Sequence, residues 1–347
     1  MKAKPALHQP SATTQSPDDV RRSLLGAFSV SLASASLGLP AVSDAQGAYP
    51  TKPIRMVIPW PPGQATDLVG RSLAVGLSRV LGQAIVSDNK AGAGGMIGCD
   101  VAAKAKPDGY TILAASSGPL TVIPLVQPTP YDAQKDFTYI AMACITPYVL
   151  VTASDFPAKD SAALVALVKA NPGKYNFGSS GTGATGHLMG EAFHAAAGLS
   201  VVHVPFKGTL PALTEVMAGR VAYCFETASV VMPFIRDGRL RGLGCTLLNS
   251  SAVTPGIPPL STAANVPGFN LGGWIGLAAP AGLTADVRER LAKATKEVLQ
   301  SAETKELFER IFIEVDFKQG EEFIQYLSNT SAVYAEVIRK NNIKLEV

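Results

Sequence analysis

Over Tyr175–Leu199 the sequence sets a strand, a glycine turn and a helix in immediate succession, and no other stretch so narrows what the chain can fold into. Tyr175, Asn176 and Phe177 close the strand. Gly178-Ser179-Ser180-Gly181-Thr182-Gly183-Ala184-Thr185-Gly186 then strips the backbone almost bare of side chains. From about His187 a helix follows, with Leu188, Ala192, Phe193 and Ala196 on one stripe and Gly198 as its stop. Glycine lets backbone N–H groups come close to a ligand. A helix N-terminus adds unpaired donors and about half a positive charge. Together they make a site for an anion such as a carboxylate or a phosphate. Ile54–Leu81 carries a second copy of this logic, and two such turns facing each other would make a cleft.

The chain around that stretch alternates strands and helices. Ile54-Arg55-Met56-Val57-Ile58 is a strand, and the proline-rich turn Pro59–Asp67 cannot continue it, because proline removes ladder donors. A helix then runs to about Leu81, with Val69, Leu73, Leu77 and Val80 at helical spacing and Gly82 as its stop. Ala84–Ser87 is a short strand, Asn89–Gly95 a glycine-rich turn, and a helix runs through Ala105. Tyr110–Ala115 is the next strand, with Ser116-Ser117-Gly118 as its exit loop. Tyr139–Cys144 and Tyr148–Thr152 flank Pro147, and Ser161–Ala170 is a helix. Past the central motif come strands Val201–Val204, Val221–Phe225 and Leu240–Thr246, with helices at about Pro211–Gly219 and Ser229–Asp237 between them. Asn249–Asn270 is rich in loops, Trp274–Ala279 is a strand, and Thr284 caps a helix through Val298. Glu321–Asn341 forms a last helix with Phe323, Leu327, Tyr334 and Ile338 on one stripe. This alternation implies a parallel, three-layer α/β sheet, and 347 residues suffice for two domains.

The first 45 residues have a different character. A polar stretch leads to Arg21-Arg22, an uncharged run Ser23–Leu39 follows, and Ser43-Asp44-Ala45 offers small residues at a cleavage point. This is the pattern of a secretory signal, which places the mature chain outside the cytoplasm. The formal charge of +3 comes with no basic block and no aromatic-basic interleaving, so nucleic acid is not an expected partner. Cys99, Cys144, Cys224 and Cys245 form no CxxC pair and each sits in an apolar run. They read as small core residues, and no metal is expected.

Enzyme chemistry finds little footing. Gly181-x-Gly183-x-x-Gly186 spells a dinucleotide fingerprint between strand and helix. The acid that should follow the second strand to hold a ribose is missing, since Val201–Val204 leads into Pro205-Phe206-Lys207. An NAD(P)-dependent enzyme using that turn is therefore the rival reading, with a serine hydrolase behind it. No G-x-S-x-G elbow is present, and Ser179, Ser180 and Ser116 have no evident base. His187 either meets ligand or satisfies loop carbonyls, while His194 and His203 read as structural. Asp67 complements a helix N-terminus, braces its loop or accepts a bond from a ligand. Thr66 and Thr185 are caps or ligand donors, Lys207 a solvated lysine or a cleft cation, and Trp60 core or cleft wall.

A family pattern runs through these segments in order. It consists of Tyr49-Pro50-x-Lys52-Pro53-Ile54-Arg55, Pro61-x-Gly63-x-x-x-Asp67, Ala91-Gly92-Ala93-Gly94-Gly95 and Pro107-Asp108-Gly109-Tyr110-Thr111. Tyr131-Asp132, Gly181-x-Gly183-x-x-x-His187-Leu188, His203-Val204-Pro205-Phe206-Lys207-Gly208 and Ala279-Pro280-Ala281-Gly282 complete it. From about Tyr49 onward the chain resembles the extracytoplasmic solute receptors of the tripartite tricarboxylate transporters, the TctC or Bug family. The resemblance implies a fold of the type II periplasmic binding proteins, two three-layer α/β domains joined by crossing strands. Residues 49–146 with 272–347 would form the first domain and 147–271 the second. It implies a periplasmic, monomeric receptor that closes on a small organic carboxylate and delivers it to membrane permease subunits, with no cofactor. A sensory protein that presents bound ligand to a membrane receptor is a further alternative. Carried over, the ligand contacts are Pro62, Gly63, Gln64, Ala65, Thr66 and Asp67 on the first turn and Ser180, Gly181, Thr182, Gly183, Thr185 and His187 on the second. Ser116, Lys207 and Glu226 complete the expected set. Gln64 stands where the family usually has a second glycine, and Glu226 where an aspartate is common.

Overall fold

The computed structural model describes residues 49–249 and 251–340. The leader expected at residues 1–45 lies outside the described residues. Two sheets organise the rest. The first holds β1 (Ile54–Ile58), β2 (Ile85–Asn89), β3 (Thr111–Ser116), β4 (Phe137–Thr146), β10 (Gly273–Pro280) and β11 (Glu314–Gln319), in the order β11-β4-β10-β3-β1-β2. The second holds β5 (Tyr148–Ala153), β6 (Asn176–Ser179), β7 (Val202–Pro205), β8 (Tyr223–Thr227) and β9 (Leu240–Cys245), in the order β7-β6-β8-β5-β9. Helices cover both faces of each, giving two α/β lobes.

The sheets are mixed, which corrects the expectation of parallel ones. β1 is parallel to both β2 and β3, and β6 to both β7 and β8, as strand–helix–strand units demand. β10 and β5 run antiparallel to their neighbours. The reason is connectivity. The chain passes from β4 through Pro147 alone into β5, and it returns through residues 271–272 into β10. A strand that enters a sheet from the other lobe has no crossover helix to reverse it, so it pairs antiparallel.

Local chemistry sets the helices. α1 (Ala65–Leu81) turns Val69, Leu73 and Leu77 onto the first sheet and ends at Gly82 in the left-handed conformation, φ 69°. α2 (Met96–Ala103) follows the glycine turn, and α3 (Ser161–Lys169) is capped by Asp160, whose Oδ1 accepts from the Ala163 N–H at 2.7 Å. α4 (Thr185–Ala197) lies tight on the second sheet because two of its residues lack side chains. A Cβ on Gly186 would sit 2.3 Å from the Phe225 carbonyl oxygen, and one on Gly190 would sit 2.3 Å from the Phe177 ring. α5 (Thr209–Met217), α6 (Ala228–Arg236) and the short α7 (Leu260–Ala263) complete the second lobe. α8 (Ala285–Gln300) and α9 (Ala302–Arg310) return to the first, and α10 (Gly320–Lys340) starts on the first lobe with Phe323 and ends on the second with Tyr334. Thr284 precedes α8 as expected but makes no side-chain capping bond. Sequence reasoning did not find α9 and β11, whose mean polarity hides them; Thr304 and Phe308 are the buried anchors of α9. All four cysteines are buried and free, and burial pushes their thiols up. Among the described residues no helix is long and apolar enough to cross a membrane.

Candidate functional site

Three helix N-termini meet where the lobes face each other. α1 brings Gln64, Ala65 and Thr66 from the first lobe, while α4 brings Ala184 and Thr185 and α5 brings Thr209 from the second. Each start follows a turn bearing proline or glycine that ends its strand, so unpaired N–H groups gather at one place. They enclose a cavity of about 30 Å³ together with Ser116, Ser117 and Gly118 at the end of β3. Thr146 and Tyr148 on the crossing strands, Trp274, and Glu226 with Thr227 at the end of β8 complete the wall. A space of this size holds roughly one water molecule, so the lobes are drawn together. The Ser117 and Thr185 hydroxyls bond across the cleft at 3.0 Å. Beside them the second lobe's Gly208 approaches Pro61 and Gln64, and Gly183 approaches Ile123.

The wall is polar in detail. Trp60, 7% exposed, donates its indole N–H to the Ser116 hydroxyl at 2.9 Å, so it is cleft wall with its edge anchored. Trp274 is likewise fixed by its indole N–H on Thr121 at 3.1 Å. Glu226, 3% exposed, accepts from the Thr209 hydroxyl at 3.1 Å through Oε2, while its Oε1 has no protein partner. Burial pushes this carboxyl up to about 7, against Thr209, Ser180 and Thr227, which favour its charged form. The Gln64 Nε2 is also buried without a partner.

Of the residues expected from sequence, Gln64, Ala65, Thr66, Ser116, Ser180, Thr185 and Glu226 come together on this wall. The others lie off it. Gly63 faces Leu210, and Thr182 presents its carbonyl to Gly94, so these turn residues form lobe-to-lobe contacts. Gly181 and Gly183 hold φ of 140° and 75°, which shapes the turn. Pro62 and Lys207 are exposed. Asp67 braces its own loop, accepting from the Gly63 N–H at 2.9 Å, from Arg71 at 2.8 Å and from the Asn89 amide at 2.8 Å. His187 accepts from the Gly183 N–H at 3.2 Å and stacks on His203 with ring centroids 3.5 Å apart, so it supports the turn from inside the lobe. His203 in turn pairs with Ser179 at 2.7 Å, and His194 with the Tyr223 hydroxyl at 2.7 Å.

Sequence reasoning missed Ser117, Gly118, Thr146, Tyr148, Thr209 and Thr227. Two signals were available. Lys207-Gly208-Thr209 before a helix repeats the glycine-turn logic, and Ser116-Ser117-Gly118-Pro119 leads into a helical turn, Gly118–Val122, where a loop was expected. Among the described residues no group of three or more His, Cys, Asp or Glu is placed to hold a metal ion.

Residues 69–343 match the family described as tripartite tricarboxylate transporter family receptor. The chain is 33% identical over 325 residues to Protein BugT of Bordetella pertussis, covering 93% of this chain and 98% of that one. It is similar in structure to periplasmic binding protein BugD, with a TM-score of 0.80, 29% identity and coverage of 85% and 99%. It is also similar to R. palustris Rpa4515 solved with adipate, with a TM-score of 0.82, 26% identity and coverage of 85% and 99%.

Proposed function

This chain belongs to the tripartite tricarboxylate transporter receptor family, and from that premise we propose that it is a periplasmic solute receptor that captures a small organic carboxylate between its lobes. The observation that carries the reading is the meeting of three helix N-termini around one small, polar space. Backbone N–H groups and hydroxyls from both lobes then bind one anion, which favours the closed state because only that state presents both sets at once. The structure of a similar protein with adipate supports a carboxylate as the ligand class.

Residues 49–146 with 272–340 and residues 147–271 act as the two rigid parts. The hinge is at Thr146-Pro147-Tyr148 and Leu271-Gly272-Gly273, where the chain crosses between sheets. No chemical step is involved. The dinucleotide reading is disfavoured because β7 ends in Pro205 without an acid to hold a ribose. The receptor acts as a monomer and hands its ligand to membrane permease subunits. Uptake tests this. A strain lacking the chain should lose uptake of a labelled acid that the purified protein binds, and regain it on re-expression. Intact uptake with loss of a transcriptional response to the acid would instead make the protein a sensory receptor.

A further inference from the structure

Glu226 is the one Asp, Glu, Lys, Arg or His among the described residues on the cavity wall, so an anion entering here finds no counter-ion and one carboxyl group. That carboxyl is half satisfied. Its Oε2 is held by Thr209, and the nearby Ser180 and Thr227 also favour its charged form, whereas Oε1 is buried with no hydrogen bond of its own on a residue that lines the cavity. A buried acceptor left without a donor is costly, and a buried carboxylate more so. Across the cleft the Gln64 amide nitrogen is a buried donor without an acceptor. The wall is therefore asymmetric: helix N-termini, hydroxyls and the Gln64 amide supply donors for an anion, and Glu226 supplies an acceptor for something that carries a proton.

Resting on the receptor reading above, we propose that the cleft selects a monocarboxylate bearing a hydrogen-bond donor, with the carboxylate on the helix N-termini and the donor on Glu226 Oε1. The donor is a hydroxyl, a carboxamide or an ammonium group. A second carboxylate in that place would meet Glu226 as a like charge in a low-dielectric space and leave Oε1 unpaired. Diacids are thus rejected by the same group that holds the donor, which is how a site built to pair a polar group discriminates strongly.

Calorimetric titration of the purified protein at pH 8 tests this with succinate, its monoamide succinamate, 4-hydroxybutyrate, 4-aminobutyrate and adipate. At least one of the three donor-bearing acids should bind at least about tenfold more tightly than either diacid, and which one does so identifies the donor. In Glu226→Gln, which keeps the shape and removes the charge, that preference should shrink to about threefold or less, because the diacids gain. Glu226→Asp, which withdraws the carboxyl by one carbon, should shrink it in the same direction if the glutamine variant does not fold. Diacids binding the unaltered protein as tightly as the donor-bearing acids would overturn this selectivity and leave the receptor reading standing. Failure of all five to bind would overturn the selectivity, and the receptor reading falls only if the wider panel of acids also fails.

Discussion

Among the described residues Thr185 and Ser117 carry the one direct side-chain hydrogen bond across the cavity, and Thr185 is at the same time the first residue of α4. Thr185→Val keeps the shape and removes the hydroxyl. It should weaken acid binding by about 2- to 10-fold, the worth of one hydrogen bond, with the melting temperature of the unliganded protein nearly unchanged; a calorimetric titration reads the first and a thermal scan the second. Asp67 is the contrasting case. Its carboxylate holds three donors, one in the loop before α1, one within α1 and one at the end of β2, so Asp67→Ala should cost about 1.5–3 kcal/mol of stability in urea unfolding and should affect binding only through that loop. Both residues stood out in the sequence as a helix-start threonine and aspartate. Their division of labour did not, because it depends on which way each side chain turns. His187 shows the same limit: its place at a glycine turn was legible, but its stacking on His203 needs the strand β7 brought alongside β6.

At the scale of elements, the glycine turns were legible because a run without side chains between an apolar strand and an apolar stripe admits few other readings. Gly186 and Gly190 belong to the same logic seen from the other side, where α4 is pressed onto β6 and β8. Gly186→Ala sets a methyl group against the Phe225 carbonyl and should destabilise the protein by about 1–3 kcal/mol, measured by urea unfolding, with the α4 backbone displaced in a crystal structure of the variant. Strand direction was not legible. β5 and β10 look like any other apolar strand, and only their arrival from the opposite lobe makes them antiparallel. α9 and β11 escaped for a different reason. Both are short and polar at the periphery, held by a few anchors such as Phe308.

For the whole molecule, buried histidines and a buried glutamate give opposed responses to pH. Burial pushes the His194 imidazole down from 6.5 to about 4. Below about pH 6.5 the unfolded chain therefore takes a proton that the folded chain refuses, and this contribution to stability is lost as pH falls toward 4. Burial and the neighbouring His187 and His194 push His203 down in the same direction, to about 3. Glu226 works the other way. Its carboxyl rises from 4.5 to about 7, so between those values only the folded chain holds the proton, and stability falls as pH rises through them. Over much of that interval three slopes act, the two from the histidines outweighing the one from Glu226. Glu226→Gln removes one of them, so its unfolding free energy relative to the unaltered protein should climb from pH 4.5 to 7; urea titrations at four pH values would show it, and a flat difference would mean that Glu226 is not desolvated.

Capture of a small acid between the lobes is tested most directly by a thermal-shift screen of the purified protein. The panel is small mono-, di- and tricarboxylates, amino acids, and the nicotinamide dinucleotides, run in parallel on the Thr185→Val variant. A ligand at a thousand times its dissociation constant stabilises a protein by about 4 kcal/mol, well within reach of such a scan. The expected result is a shift with one class of carboxylate, reduced in the variant, and none with dinucleotides. Shifts with dinucleotides alone, or with no acid at any concentration, would contradict it.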